Sequence, residues 1–203
     1  MSPDGEQRTV VRSRDGTEIT AFRLGEGPPL VLVHGTTADH TRWRTVLEPL
    51  AARFTVYGVD RRGRGASGDR EPYAIEREFE DVVAVVDSIP EPVNLLGHSY
   101  GAICALEAAL LTTNLRTLVL YEPPFPTTIQ IYPEGTIERV EALLAAGQRE
   151  AALETFLGEV VLMPEEQIQV LKAQPAWQAR IAAAHTLPRE ERAAMALVLD
   201  PER

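Results

Sequence analysis

Cysteine, lysine, histidine and long apolar runs are all scarce in this 203-residue sequence. The single cysteine, Cys104, excludes an internal disulfide, and the four histidines share no spacing of a structural zinc site. No apolar run approaches the roughly 18 residues that span a bilayer, and Met1-Ser2-Pro3-Asp4-Gly5-Glu6 has neither the basic nor the apolar region of a signal peptide. These absences predict a soluble, cytoplasmic chain that does not engage a membrane. Positive charge is also in deficit, with 20 basic against 30 acidic residues and a net charge of −10. A polyanion would have to overcome that field, which argues against nucleic acid or anionic lipid as the main partner. Lys172 stands alone beside the arginines, which reads as compositional bias, with an arginine-rich chemistry as the alternative.

What is present suffices for a core. Hydrophobic residues make up 44% and charged ones 25%, ordinary for a globular chain, and the length fits one domain carrying an insertion. Thr9 to Ser13 and Glu18 to Leu24 flank Asp15-Gly16, a dipeptide that tolerates the positive φ of a tight hairpin turn. Leu30-Val31-Leu32-Val33 is a continuous apolar run, suited to a strand covered on both faces. Trp43, Val46, Leu47, Leu50 and Ala51 then mark one face of a helix. The alternation continues with a strand at Phe54 to Val59, a glycine-rich loop at Arg61 to Gly68, and a helix through Ile75, Phe79, Val82, Val83 and Val86. It goes on with a strand at Val93 to Leu96, a helix from Ala102 to Leu111, and a strand at Leu115 to Tyr121. Such alternation builds a mostly parallel sheet flanked by helices, an α/β fold. From Pro123 the chain reads as helix only, in segments divided by Gly147, Pro164, Pro175 and Pro188, which sets a core over residues 1–122 and an all-helical region over 123–203.

Gly97-His98-Ser99-Tyr100-Gly101 lies between the strand ending at Leu96 and the helix beginning near Ala102. A serine on so sharp a turn is held in a strained conformation, and glycines two positions away on each side let strand and helix approach. Its hydroxyl then stands above the carboxyl edge of the sheet, where open α/β sheets bind ligands. His34-Gly35-Thr36 ends the earlier buried strand at the same edge, so the N–H groups of Thr36 and Tyr100 are candidates to bind a developing oxyanion.

Together with Asp60-Arg61-Arg62-Gly63-Arg64-Gly65-Ala66-Ser67 and Leu118-Val119-Leu120-Tyr121-Glu122-Pro123-Pro124, in this order, these motifs resemble the α/β-hydrolase fold superfamily, in its serine-nucleophile, esterase- and lipase-like branch. The resemblance covers residues 8–126, and the helical remainder resembles the start of that family's cap. It implies Ser99 as nucleophile with Thr36 and Tyr100 as oxyanion donors, acyl transfer to water on a small ester-like substrate, and no cofactor or metal. A serine in the elbow disfavours the haloalkane dehalogenase and epoxide hydrolase branches, which place an aspartate there.

The family carries its catalytic acid and histidine beyond this C-terminus, so the C-terminal strands of the fold are expected to be missing. Of the histidines only His185 follows Ser99, and it reads either as a helix-terminal residue or as the base. His98 is expected to turn its ring away from the Ser99 hydroxyl. His34 reads as a hydrogen-bonded scaffold residue and His40 as a loop residue. Glu122, ending the last strand, is either the acid or the anchor of the exit at Pro123, while Asp60 reads as a structural hydrogen-bonding group. Arg61, Arg62 and Arg64 allow an anion site or, as the preferred reading, a solvated loop paired with the surplus carboxylates. Trp43 and Phe125 are candidate substrate-binding walls or simply core, and Cys104 packs as a small hydrophobe. Three functions stay open: a serine esterase, a truncated or split hydrolase that binds or needs a complementing segment, and a cofactor-free haloperoxidase or perhydrolase. The strand at Leu115 to Tyr121 is expected to leave an unpaired edge open to self-association.

Overall fold

The structure, a computed structural model, describes residues 5–124 and 132–198. The chain divides into two compact units, one ending at Pro124 and the other spanning 125–199.

The first unit is built on a six-stranded sheet. Strands β1 (Gln7–Arg12) and β2 (Glu18–Leu24) form the hairpin around Asp15-Gly16, where Gly16 has φ +86° and the Asp15 carboxylate accepts the Thr17 N–H at 2.9 Å. β3 (Pro29–Val33), β4 (Thr55–Val59), β5 (Val93–His98) and β6 (Leu115–Tyr121) follow, and the spatial order is β1-β2-β4-β3-β5-β6. β2 runs antiparallel to β4, and the β4-β3-β5-β6 set is parallel. Every residue of β3 is buried, as a central strand covered on both faces requires. Helix α1 (Arg44–Ala51) covers one face, where Trp43, Leu47, Leu50 and Leu96 pack on Leu30, Leu32 and Val56. Val46, expected on the same apolar stripe, remains largely exposed. Helices α2 (Ile75–Asp87) and α3 (Tyr100–Ala109) pack against one another, and α3 lies along β5 and β6. Cys104 is buried on α3.

β6 pairs only with β5 among the described strands, so it forms one edge of the sheet. Val119 and Tyr121 point to one face and are 48% and 52% exposed. No strand continues the sheet beyond β6 among the described residues.

The glycine-rich loop after β4 corrects the expectation of solvated arginines. Arg61, Arg62 and Arg64 are buried, with exposures of 2%, 0% and 2%. Arg61 donates from Nε and Nη2 to both carboxylate oxygens of Glu78, at 2.7 and 2.8 Å. Arg62 does the same to Asp81, at 2.7 Å each, and reaches Asp15 at 3.0 Å from Nη1. Arg64 donates to the Arg62 carbonyl at 3.1 Å. The reason lies on α2, whose buried face carries Glu78 and Asp81, one turn apart, among Phe79 and Val82. Carboxylates taken out of water demand paired, hydrogen-bonded cations, and the planar fork of arginine supplies two bonds at once.

The second unit is helical: α4 (Thr136–Ala145), α5 (Arg149–Thr155) continuing as a π turn (Phe156–Val160), α6 (Glu165–Lys172), α7 (Trp177–Ala183) and α8 (Leu187–Ala196). They enclose a core of Val140, Leu153, Phe156, Leu157, Trp177 and Leu187. Gly147, with φ +76°, divides α4 from α5. Pro188 does not divide helices as expected but sits in the first turn of α8, where its missing N–H costs nothing. No helix among the described residues is long and apolar enough to cross a membrane.

Candidate active site

Ser99 occupies the turn between β5 and α3 with φ +53° and ψ −127°, a conformation that side chains other than glycine rarely adopt. Its N–H donates to the Tyr121 carbonyl at 2.9 Å and its carbonyl accepts the Ala102 N–H at 2.8 Å, so both flanking elements hold the strained residue. The two glycines permit this approach. A Cβ on Gly97 would lie 2.5 Å from the Ala102 Cα, and one on Gly101 would lie 2.8 Å from the Val33 carbonyl carbon, closer than any real Cβ comes.

The turn after β3 reaches the same place. A Cβ on Gly35 would meet the Ser99 Cβ at 2.8 Å and its Oγ at 3.3 Å, so residues 34–36 lie directly against the serine side chain. Thr36 is half-buried, and Thr37 beside it is buried with φ +62°, a strained conformation for a β-branched residue that nothing in the sequence announced. Tyr100 opens α3, where first-turn N–H groups lack intrahelical acceptors. The segments that carry the Thr36 and Tyr100 N–H groups thus flank one serine hydroxyl.

Buried polar groups fix these segments from behind. His34 Nδ1–H donates to the Gly35 carbonyl at 2.8 Å, and Nε2 accepts the Arg61 N–H at 3.2 Å. Burial, with the Arg61 and Arg64 charges, holds its pKa well below the usual value, so the ring is neutral. His40 is not a plain loop residue: its Nδ1 and its N–H both bond Asp60 Oδ1, at 2.7 and 2.9 Å, and its ring stacks on Phe22 at 3.8 Å. Burial lowers the His40 pKa, but the Asp60 hydrogen bond and charge outweigh it and raise the pKa above the ordinary value. Asp60 is buried, and its other oxygen accepts the Ala66 N–H at 2.8 Å, which ties the turn after β3 to the glycine-rich loop.

Glu122 follows Tyr121 at the end of β6, exposed, with φ +50°. His98 stacks on Tyr121 at 5.3 Å and meets Trp43 edge-on at 6.4 Å. Burial and Arg42 hold the His98 pKa below its ordinary value, with Glu122 opposing. Trp43 belongs to the small core beneath α1. Among the described residues of this unit, no histidine hydrogen-bonds the Ser99 hydroxyl, since His34 and His40 are engaged elsewhere. His185 belongs to the second unit, exposed in a short turn after α7, with Nδ1–H donating to the Ala182 carbonyl at 3.0 Å. Phe125 lies outside the described residues. No group of three or more His, Cys, Asp or Glu side chains is gathered as a metal ion would need, among the described residues.

Residues 30–201 match the alpha/beta hydrolase family. Over 93% of its length the chain superposes, with a TM-score of 0.83 and 39% identity, on 74% of an alpha/beta hydrolase from Sphaerobacter thermophilus. It is 38% identical over 104 residues to the N-formylmaleamate deformylase of Pseudomonas putida, a match covering 49% of this chain and 39% of that enzyme. It is 37% identical over 95 residues to the pimeloyl-[acyl-carrier protein] methyl ester esterase of Aeromonas hydrophila, covering 45% of this chain and 36% of that enzyme. A strained residue at a strand-to-helix turn on a mostly parallel sheet defines the class, and the chain belongs to the α/β-hydrolase family. Its matched stretches span less than two fifths of the length of these two curated relatives.

Proposed function

We propose that this chain is a serine hydrolase of small ester-like acyl substrates. The observation that carries the reading is the strained Ser99, with the Gly35 turn pressed against its hydroxyl. Ser99 Oγ attacks the acyl carbon, and a base takes its proton. The carbonyl oxygen becomes an oxyanion bound by the Thr36 and Tyr100 N–H groups. Collapse expels the alcohol with that proton, leaving an acyl-serine, and water then releases the acid and restores the hydroxyl. No cofactor enters these steps. The two relatives, an esterase and a deformylase by name, support acyl transfer as the reaction class. Glu122 is our candidate for the acid that orients the base, and His185 for the base.

A second reading has its own support. No histidine of the first unit hydrogen-bonds the Ser99 hydroxyl among the described residues, and the chain spans 74% of the Sphaerobacter thermophilus hydrolase. In that reading a complementing segment supplies the base. Intact-mass analysis after fluorophosphonate treatment decides between them, with Ser99→Ala as control. A stoichiometric adduct that Ser99→Ala abolishes supports a base within these residues, and His185→Ala then tests which. No adduct on a folded chain favours the complemented enzyme, and an adduct that survives Ser99→Ala overturns the nucleophile. A peroxide-dependent halogenation assay separates the perhydrolase alternative, which uses the same elbow.

A further inference from the structure

Behind the elbow, four side chains close a circuit that the acyl-transfer steps do not use. The Tyr100 and Tyr73 hydroxyls are 2.9 Å apart, and Tyr73 O–H donates to Glu78 Oε1 at 2.8 Å. Tyr73's single proton is thereby committed to Glu78, so Tyr100 is the donor between the two tyrosines. Glu78 accepts both forked bonds of Arg61, and the Arg61 guanidinium lies 4.4 Å from the centre of the Tyr100 ring. The same Arg61 donates its backbone N–H to His34, whose other nitrogen holds the Gly35 carbonyl. One residue therefore touches both segments that flank the Ser99 hydroxyl: the turn after β3 through its main chain, and Tyr100 through its side chain. Burial raises the Glu78 pKa, but the Arg61 charge and bonds, Arg64 and Tyr73 outweigh it, so the circuit holds a carboxylate.

We propose that the Arg61–Glu78 pair is a positioning pair that sets the spacing of the Thr36 and Tyr100 N–H groups about Ser99. This rests on the acyl-transfer reading above. Arg61 never meets substrate; it acts through Tyr100 and His34. Lysine in its place keeps the charge and the backbone N–H but loses the fork and the guanidinium over the Tyr100 ring, so residue 61 shifts and carries its bond to His34 with it.

The structure supplies a matched control, because Arg62 is equally buried and makes the same forked pair with Asp81, while its other bonds go to Asp15 and the Arg77 carbonyl and not to His34 or Tyr100. The experiment compares Arg61→Lys with Arg62→Lys in the full chain, by fluorophosphonate labelling rate, melting temperature and the amide NMR resonances of Thr36 and Tyr100. Both variants are expected to lose melting temperature. Arg61→Lys is expected to slow labelling by about tenfold or more, since displacing a reacting geometry by about 1 Å costs up to ~100-fold. It also moves both amide resonances, whereas Arg62→Lys stays within about threefold and moves neither. Tyr100→Leu is expected to slow labelling as Arg61→Lys does, and the double variant no further, because both break one circuit. Equal slowing by Arg61→Lys and Arg62→Lys would reduce the pair to ordinary stability, and an unaffected rate in Arg61→Lys would overturn the proposal. If the wild-type chain takes no adduct, self-sufficient activity fails separately, and the amide resonances decide the positioning role: both must move in Arg61→Lys alone.

Discussion

Gly101→Ala adds one methyl group where α3 starts beside the end of β3. The new Cβ would sit 2.8 Å from the Val33 carbonyl carbon and nearer still to the carbonyl oxygens of Val33 and His34. Ordinary contact begins at 3.4 Å. The nearest oxygens set the retreat of α3 at about 1 Å, because the obstacle is backbone and cannot swing aside. Overpacking costs about 1–3 kcal/mol, and a clash with several backbone atoms at once puts this site at the upper end, about 2–3 kcal/mol. Alanine recovers at most ~1 kcal/mol of helix propensity, so a net loss of about 1–2 kcal/mol remains. In a chain of this size that lowers the melting temperature by about 2–8 °C. The retreat carries the Tyr100 N–H with it, so fluorophosphonate labelling should fall by about 10- to 100-fold. Gly147→Ala separates collision from backbone strain, since Gly147 has φ +76° but open space around it. It should cost about 1 kcal/mol and leave labelling unchanged. A Gly101→Ala chain as stable and as reactive as the wild type would refute the claim that close approach of α3 to β3 sets the elbow.

Two further outcomes follow from the buried pairs and the sheet edge. His40 has its pKa raised in the folded chain by Asp60, so the stability from this pair is complete below the unfolded value and fades as pH rises through the folded one. Melting temperature should therefore fall as pH rises above the ordinary histidine value in the wild type, and His40→Gln should flatten that part of the profile; an unchanged slope would refute the linkage. We also propose that the edge of β6, unpaired among the described residues and with Val119 and Tyr121 half exposed, supports self-association. Sedimentation equilibrium should show concentration-dependent dimer in the wild type and monomer in Val119→Lys, and a wild type that stays monomeric would refute it.

The alternation of apolar runs with amphipathic segments was enough to determine the parallel sheet, because strand and helix periodicities are local properties of the chain. The Gly97-to-Gly101 motif likewise announced its strained serine, since glycine at 97 lets α3 start against β5 and glycine at 101 lets it start against β3. The fate of the arginines was decided elsewhere. Arg61 and Arg62 look like a solvated loop until α2 brings Glu78 and Asp81, 17 and 19 positions downstream, onto its buried face. Two carboxylates among Phe79 and Val82 were the available signal, but only packing shows which face turns inward. The same holds for His40, whose partner Asp60 lies 20 residues away on another strand end, and for the strain at Thr37. A sequence displays charges and periods along one dimension. Which charges lose their water, and which partners then repay the loss, is decided only when distant segments meet.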